Sequence, residues 1–155
     1  MARQAGEAVL RHPGGCGDDG FLTVLSEGLV LSGIAMSIAG HTRPASGACH
    51  EISHALDLLY PRRAASHGEQ VGIGAAFAMH LRGDHENSRI MADALRRHGL
   101  PVVAREIGFD DEEFVRAVGF APETRPGRYT ILEHLALSPA QIKDAYAEYV
   151  ASVGG

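Results

Sequence analysis

Apolar residues recur along this chain with the three-to-four-residue spacing of α-helices. In the segment ENSRIMADALRRHGL they lie on one face of a helix that we expect to end at Gly99. In DDEEFVRAVGF the same spacing follows a run of acidic residues, which suit the N-terminus of a helix. The alternation of a half-buried strand is not found in the sequence, and there is no internal repeat. The pattern predicts an all-α fold, a helical bundle.

The clearest helix start lies in SHGEQVGIGAAFAMHLRG. Ser66 and Glu69 have the S-x-x-E spacing of a capping box, which makes Ser66 the N-cap and His67 the first helical residue. The predicted helix is rich in glycine and alanine and includes Gly72 and Gly74. Small residues allow the backbone of a neighbouring helix to approach closely. We therefore expect this helix to lie in the middle of the bundle.

Two other helices have recognisable ends. One is predicted over residues 50–59, because Pro61 prevents the chain from continuing it. The last helix is predicted to follow the cap Ser138, with Pro139 at its first position, and to run to about Ser152. Before it, the segment APETRPGRYTIL contains two prolines and is predicted to be a loop.

An apolar segment near the start raises the question of a membrane. Residues 21–40, FLTVLSEGLVLSGIAMSIAG, are about long enough to span a bilayer as a helix. The segment carries Glu27, three serines and a threonine, and a soluble protein can bury such a helix among its neighbours. We therefore predict a buried helix that ends at Gly40. Residues 1–20 are predicted to be a flexible N-terminal segment, and residues 21–155 a single helical domain.

Composition narrows the class of protein. A chain of 155 residues has the size of one domain, and its low aromatic content of 6% requires a core of small and aliphatic side chains. The net charge is -5 and the 14 Lys and Arg residues are scattered, which argues against binding to nucleic acid. The first residues lack the order of a secretory signal, and Cys16 and Cys49 are too few for a disulfide framework. We expect a cytoplasmic protein.

Part of the segment ACHEISHALD matches the zinc-peptidase pattern H-E-x-x-H. On a helix, His50 and His54 lie on one face and can reach one ion, with Glu51 available as a general base. Such a peptidase also needs a third ligand, and the candidate Glu69 is already used as a cap partner. It usually needs a strand edge to align its substrate as well, and the sequence predicts none. A zinc metallopeptidase is therefore one alternative for this chain.

A second arrangement pairs His50 with His67, which are 17 residues apart and fall on different predicted helices. His67 would project from the first turn of its helix, where an imidazole can face a cleft between helices. Two imidazoles do not saturate a divalent cation, so a carboxylate or water has to complete such a site.

Three segments resemble a known family. GLVLSGIAMSIAGHTRPASGACHEISHALD, HGEQVGIG and TRPGRYTILEHL are similar to the C-terminal half of sn-glycerol-1-phosphate dehydrogenases. These enzymes belong to the superfamily of iron-containing alcohol dehydrogenases, glycerol dehydrogenases and 3-dehydroquinate synthases. The resemblance covers roughly residues 21–149 and implies the C-terminal metal-binding domain of the dehydroquinate synthase-like fold. The N-terminal nucleotide-binding α/β domain of that fold has no counterpart in these residues.

The resemblance also implies roles for individual residues. His50 and His67 would be metal ligands, and His54 would line the substrate pocket as a catalytic residue. Glu51 would then complete the peptidase pattern by coincidence. Arg43, with Ser46 beside it, would bind the substrate phosphate. The family typically has a glutamate where this chain has Cys49, which we expect to be a buried filler or else an extra soft ligand or redox-sensitive thiol.

Arg125 and Arg128 are weaker candidates for the phosphate. We expect both side chains to bind backbone carbonyls or to lie on the surface.

The implied reaction is the reduction of dihydroxyacetone phosphate by NAD(P)H. Family members bind Zn²⁺ through one Asp and two His, and the ion polarises the substrate carbonyl. Such a ligand set suits Fe²⁺ or Ni²⁺ as well. The Asp and the NAD(P) site belong to the N-terminal domain of relatives, although Asp18 or Asp19 is an alternative ligand. We therefore expect NAD(P) binding only with that domain.

The chain would then be a fragment, a subunit that needs a separate nucleotide-binding partner, or a degenerate non-catalytic helical module. A homo-oligomer is a further expectation, and the ligand would be a small phosphorylated polyol or ketone. Neither nucleic acid nor a membrane is expected as a partner.

Overall fold

A computed structural model describes residues 1–63 and 65–154. Every regular element in these residues is helical and none is a strand, so the all-α prediction is confirmed. By the pattern of backbone contacts the chain divides into two compact units, Met1–Gly47 and the residues from Ala48 onward. Eight α-helices lie in the described residues: α1 (Ala2–Arg11), α2 (Asp19–Ala39), α3 (Ala48–Leu59), α4 (His67–Leu81), α5 (His85–Arg97), α6 (Asp111–Phe120), α7 (Ile131–Leu135) and α8 (Pro139–Val153). Three 3₁₀ turns join them: Arg43–Ala45, Ala104–Ile107 and Ala121–Thr124.

The first unit consists of α1, α2 and a 3₁₀ turn. Helix α1 lies where the sequence predicts a flexible segment, because α1 has an apolar face that packs on α2. Ala5 is buried in this contact, and a Cβ atom added to Gly28 would lie 3.3 Å from Val9 Cγ2. The small residue Gly28 thus allows the two helices to approach.

Helix α2 ends at Gly40 as predicted, with φ at 70°. Its N-cap is Asp18, whose carboxylate accepts a hydrogen bond from the backbone N–H of Phe21. The prediction that α2 is a buried helix is wrong, because little in its unit covers it and only Phe21 and Gly28 are buried. Its exposed apolar side chains include Leu29, Val30 and Ile38.

By length and composition alone α2 could also cross a membrane, and only 11% of its most apolar stretch is buried. A single helix of this kind is weak evidence for a membrane span.

In the second unit, α4 packs against α3, α5 and α8, as its predicted central position requires. Two glycines allow this. A Cβ atom added to Gly74 would lie 3.1 Å from both Cα and the carbonyl oxygen of Cys49 on α3, and one added to Gly72 would lie 3.1 Å from Leu95 Cδ2 on α5. The apolar core beside these contacts includes Ile52, Leu56, Ile73, Phe77, Phe114 and Val118, all nearly inaccessible to solvent.

The predicted caps of α4 and α8 are confirmed. Ser66 and Glu69 form a reciprocal capping box, and α8 begins at Pro139 behind Ser138. The predicted loop APETRPGRYTIL is only partly correct, because residues 121–124 form a 3₁₀ turn. In that turn Thr124 Oγ1 donates to the carbonyl oxygen of Ala121 over 2.7 Å, and α7 begins within the segment after its cap, Thr130.

Two buried tyrosines of helix α8 form hydrogen bonds to the backbone at the start of the second 3₁₀ turn. Tyr149 Oη donates to the carbonyl oxygen of Val102 over 2.7 Å, and Tyr146 Oη accepts from the backbone N–H of Ala104 over 2.9 Å. Burial raises the pKa of Tyr146 to about 12, so its hydroxyl stays protonated at physiological pH. Both rings also contact Phe77, with centroids 5.4 and 5.6 Å away.

Gly74→Ala tests the close approach of α3 and α4. We expect the new methyl group to lower the free energy of unfolding by about 1–2 kcal/mol, because the atoms that it meets belong to backbone that cannot move aside. Gly119→Ala on α6 is the matched control. Its Cβ would meet only Ile142 Cδ1 at 3.7 Å, so this variant should be about 0.5 kcal/mol more stable than wild type. Urea denaturation measures both, and equal effects would contradict the contact.

Candidate functional site

Three histidines predicted as site residues come together where α3 and α4 pack. The ring centroids of His50 and His67 are 5.3 Å apart, and those of His54 and His67 are 6.2 Å apart. His50 and His54 are one helical turn apart on α3, while His67 is the first residue of α4. We call these three residues the imidazole cluster. Their roles in metal binding and catalysis stay predictions.

A chain of polar side chains orients the ring of His67. Its Nδ1 lies 2.9 Å from Oγ of Ser53, a fully buried residue on α3. Ser53 Oγ donates to Oε1 of Gln70 over 2.6 Å, and Gln70 Nε2 donates to Oδ1 of Asp57 over 3.1 Å. We call these three side chains the relay: Ser53, Gln70 and Asp57.

The relay fixes which nitrogen of His67 carries the proton. A carboxylate only accepts hydrogen bonds, so Asp57 requires the amide nitrogen of Gln70 to face it. The amide oxygen then faces Ser53, whose hydroxyl donates its single proton to that oxygen. Ser53 Oγ is left as the acceptor for Nδ1–H of His67. The Nε2 atom therefore carries the lone pair, which is the form that a metal ligand needs.

His50 also presents a neutral ring. Burial lowers its pKa, and the neighbouring rings of His67 and His54 lower that pKa further. Its Nδ1 atom lies 3.3 Å from Sγ of Cys49, which leaves Nε2 as the nitrogen that faces away from the thiol. Cys49 is half-buried beside this ring, and its predicted roles as filler, soft ligand or redox-sensitive thiol are all still predictions.

The environment of His54 differs from that of the other two rings. Arg125 Nη2 lies 2.7 Å from His54 Nε2, and because a guanidinium only donates, Nε2 is the acceptor and Nδ1 carries the proton. Burial lowers the pKa of His54, and the charge of Arg125 lowers it further. A nitrogen that accepts a hydrogen bond from a cation is poorly placed to bind a second cation. This observation favours His67 over His54 as the metal-binding partner of His50.

Glu51 lies on another side of α3. Its side chain is fully buried, and Oε2 is 3.0 Å from Oγ1 of Thr130, which also lies 2.7 Å from Oε2 of Glu133. One hydroxyl has one proton to donate, so it cannot donate to two carboxylates at once. Burial raises the pKa of Glu51, which favours its protonated form as the second donor. A buried side chain engaged in this way does not suit a general base, and the peptidase alternative is not favoured.

The imidazole cluster fits two of the three ligands of a zinc site. Among residues 1–63 and 65–154, no group of three or more His, Cys, Asp or Glu side chains is placed to hold a metal ion. A further ligand would have to complete such a site, and Asp18 and Asp19, the predicted alternative ligands, belong to the first unit, so their role also stays a prediction. Arg43 and Ser46, the predicted phosphate ligands, belong to the first unit, and their role stays a prediction.

Comparison with known proteins adds independent information. No protein-family model matches the chain. A glycerol-1-phosphate dehydrogenase (NAD(P)+) of Hyperthermus butylicus is 50% identical over 115 residues, which are 74% of this chain and 32% of that protein. The enzyme of the same name from Methanosarcina mazei is 48% identical over 114 residues, 73% of this chain and 31% of the relative. That of Staphylothermus marinus is 45% identical over 117 residues, 76% of this chain and 32% of the relative.

The part of these glycerol-1-phosphate dehydrogenases to which the chain is similar is their C-terminal domain. The chain spans about a third of the length of the curated relatives that it matches. The predicted resemblance is therefore confirmed for this region.

Sequence reasoning missed three side chains around the imidazole cluster. Ser53 and Gln70 were open to inference, because each follows a histidine by three residues on a predicted helix and so lies on the same side as that histidine. Arg125 had no such signal, since 71 residues separate it from His54. Its contact depends on how the segment before α7 packs against α3.

The orientation of His67 gives the first prediction for the site. In the metal-free protein we expect ¹⁵N NMR to show the His67 ring protonated at Nδ1. Ser53→Ala should produce a mixture of the two neutral tautomers, because the acceptor for Nδ1–H is lost. Gln70→Ala should have a similar effect, since Ser53 would then be free to donate to the ring.

The NMR experiment has one control variant and one outcome that would contradict it. Asn87→Ala removes an amide outside the relay and should leave the His67 signals as in wild type. A wild-type ring protonated at Nε2 would contradict the relay.

Proposed function

We propose that this chain is the metal-binding catalytic half of an NAD(P)-dependent polyol-phosphate dehydrogenase similar to glycerol-1-phosphate dehydrogenase. The observation that carries the proposal is the meeting of His50 and His67 from separate helices, with the relay directing the Nε2 lone pair of His67 outward. A structural helical module has no need of this arrangement, since a buried polar network costs free energy unless all its groups are satisfied.

Zn²⁺ is the proposed ion, with Fe²⁺ and Ni²⁺ as alternatives that the same ligands suit. His50 and His67 would be two ligands, and the third would be an acidic side chain, either from a nucleotide-binding domain or from Asp18 or Asp19 of the first unit. When bound, the ion supplies a positive charge that polarises the carbonyl of a ketone substrate. The chain's own part is to hold two neutral imidazoles at fixed positions, which the relay does for His67.

His54 is proposed as the substrate-binding catalytic residue. Because Arg125 occupies its Nε2 atom, its Nδ1–H is the group that can donate to a substrate oxygen. The proposed substrate class is a small phosphorylated ketone or polyol. Dihydroxyacetone phosphate is the ketone that the resemblance implies. Arg43 and Ser46 remain proposed ligands of its phosphate group.

The nicotinamide cofactor is proposed to bind to a nucleotide-binding domain, supplied by another chain or by a longer form of this one. The match to about a third of each relative supports this separation of the metal-binding and nucleotide-binding domains. So does the apolar face of α2, where Ile38 is 75% exposed and Leu29 is 67% exposed, because a face of this kind suits a protein contact. A homo-oligomer would cover the same face. We propose that the assembly acts in the cytoplasm.

Metal binding separates the dehydrogenase and peptidase hypotheses. In calorimetric titrations with Zn²⁺, we expect His50→Ala and His67→Ala each to weaken binding by about a hundredfold or more, because each removes a ligand. His54→Ala should change the affinity much less, since Arg125 occupies its Nε2 atom. Glu51→Gln is the control and should bind like wild type. Loss of the metal in His54→Ala but not in His67→Ala would support the peptidase pattern instead.

Cofactor binding gives the next prediction. We expect the 155-residue chain alone to bind NADH and NADPH weakly or not at all, because in relatives the cofactor site belongs to the N-terminal domain. Calorimetry on the purified chain measures this directly. Binding with a dissociation constant near micromolar would contradict the proposed division between the two domains.

A further inference from the structure

Arg125 points its guanidinium group at the imidazole cluster. Its Nη2 atom donates to His54 Nε2 over 2.7 Å, which occupies one of five N–H donors. The remaining donors form a planar fork of the kind that binds carboxylate and phosphate oxygens in pairs. The side chain is exposed, so a ligand in solution can reach it.

The backbone around Arg125 is held in place on both sides. The 3₁₀ turn Ala121–Thr124 that precedes it packs against α3, the helix that carries His54. The carbonyl oxygen of Arg125 accepts a hydrogen bond from the backbone N–H of Arg128 over 3.1 Å, which closes a turn. Beyond that turn, Thr130 contacts Glu51 on the same helix α3. The guanidinium is therefore preorganised, which reduces the entropy lost when a ligand binds.

The charge of Arg125 is not balanced by an acidic side chain. In the part of the chain that the structure describes, no Asp or Glu oxygen lies within 4.0 Å of it. Two other arginines of the second unit differ in this respect, since Arg63 pairs with Glu113 and Arg105 with Asp111. An arginine without a carboxylate partner can offer its remaining N–H donors to an anion.

The surroundings reinforce the positive charge. Glu51, one turn before His54 on α3, is fully buried and its Oε2 contacts Thr130 Oγ1 instead of Arg125. Asp57 lies one turn after His54, and its Oδ1 accepts a hydrogen bond from Gln70. Arg128 adds a second positive charge that His50, Glu51 and His54 all experience. The potential at the imidazole cluster thus favours anionic ligands even before any metal ion binds.

We propose that Arg125 forms an anion-binding subsite beside the imidazole cluster, and that this subsite takes the phosphate group of a phosphomonoester. The inference deepens the proposed function and rests on it for the class of ligand. It proposes a phosphate contact from the segment before α7, which belongs to the same unit as the histidines. It assigns Arg125 the phosphate role for which the sequence made it a weaker candidate, and the side chain is exposed as the sequence-based expectation had it.

The test uses the metal-free chain and two probes, inorganic phosphate and sn-glycerol 1-phosphate, with glycerol as the uncharged reference. Binding is followed by the NMR shifts of the His54 ring and by calorimetry. We expect both phosphate probes to shift the His54 signals and glycerol to leave them unchanged. Arg125→Ala should weaken phosphate binding by about ten- to a hundredfold, the range for one charge-assisted contact.

Two variants sharpen the comparison. Arg125→Lys keeps the charge but loses the planar fork, so its affinity should fall between those of wild type and Arg125→Ala. Arg82→Ala removes an equally exposed arginine at the end of α4 and should bind phosphate like wild type.

The outcomes that overturn the inference are distinct from those that overturn the proposed function. Unchanged phosphate affinity in Arg125→Ala would overturn the subsite, and so would a loss of binding confined to Arg43→Ala. The metal titrations of His50 and His67 variants would still stand in either case. Conversely, phosphate binding that depends on Arg125 in a chain that binds no metal would support the subsite and remove the proposed metal-dependent chemistry.

Discussion

The close approach of α3 and α4 is the constraint on which the site depends. Gly74 lies against the backbone of Cys49, and one turn along each helix in opposite directions Gln70 meets Ser53. The two contacts share one antiparallel register, which brings the first residue of α4 beside the His50 and His54 face of α3. A larger residue at position 74 would force the helices apart and lengthen the 2.6 Å bond on which the orientation of His67 rests.

Helix α3 separates its polar side chains by face. One face presents imidazoles toward α4, and another buries Glu51 against Thr130 at the start of α7. The contact between Glu51 and Thr130 stabilises the start of α7. It also holds in place the preceding segment, from which Arg125 contacts His54. The five consecutive residues of one short motif, His50 to His54, therefore serve two purposes. This explains why a peptidase pattern is present without peptidase geometry.

Local features of the fold were predictable, because capping and turn chemistry act between residues a few positions apart. The sequence alone predicts three helix ends that the structure has: the capping box at Ser66, the stop at Gly40 and the start at Pro139. The pairing of His50 with His67 came from a family resemblance, since spacing alone left two arrangements open. Contacts over long separations, such as that of Arg125 with His54, depend on packing that no local pattern encodes.

The failed prediction for α2 has the same origin. Apolar composition indicates that a helix prefers to be covered, but it does not say by what, and the unit that contains α2 covers little of it.

The position of α8 has a consequence for how the protein is made. Phe77 of α4 is enclosed by the rings of Tyr146 and Tyr149, which come from the last helix of the described chain. A ribosome delivers α3 and α4 first, so during synthesis Phe77 lacks its two tyrosine neighbours until α8 has emerged from the exit tunnel. The histidine-bearing pair of helices therefore cannot complete the packing of α4 against α8 until long after α3 and α4 themselves have been synthesised.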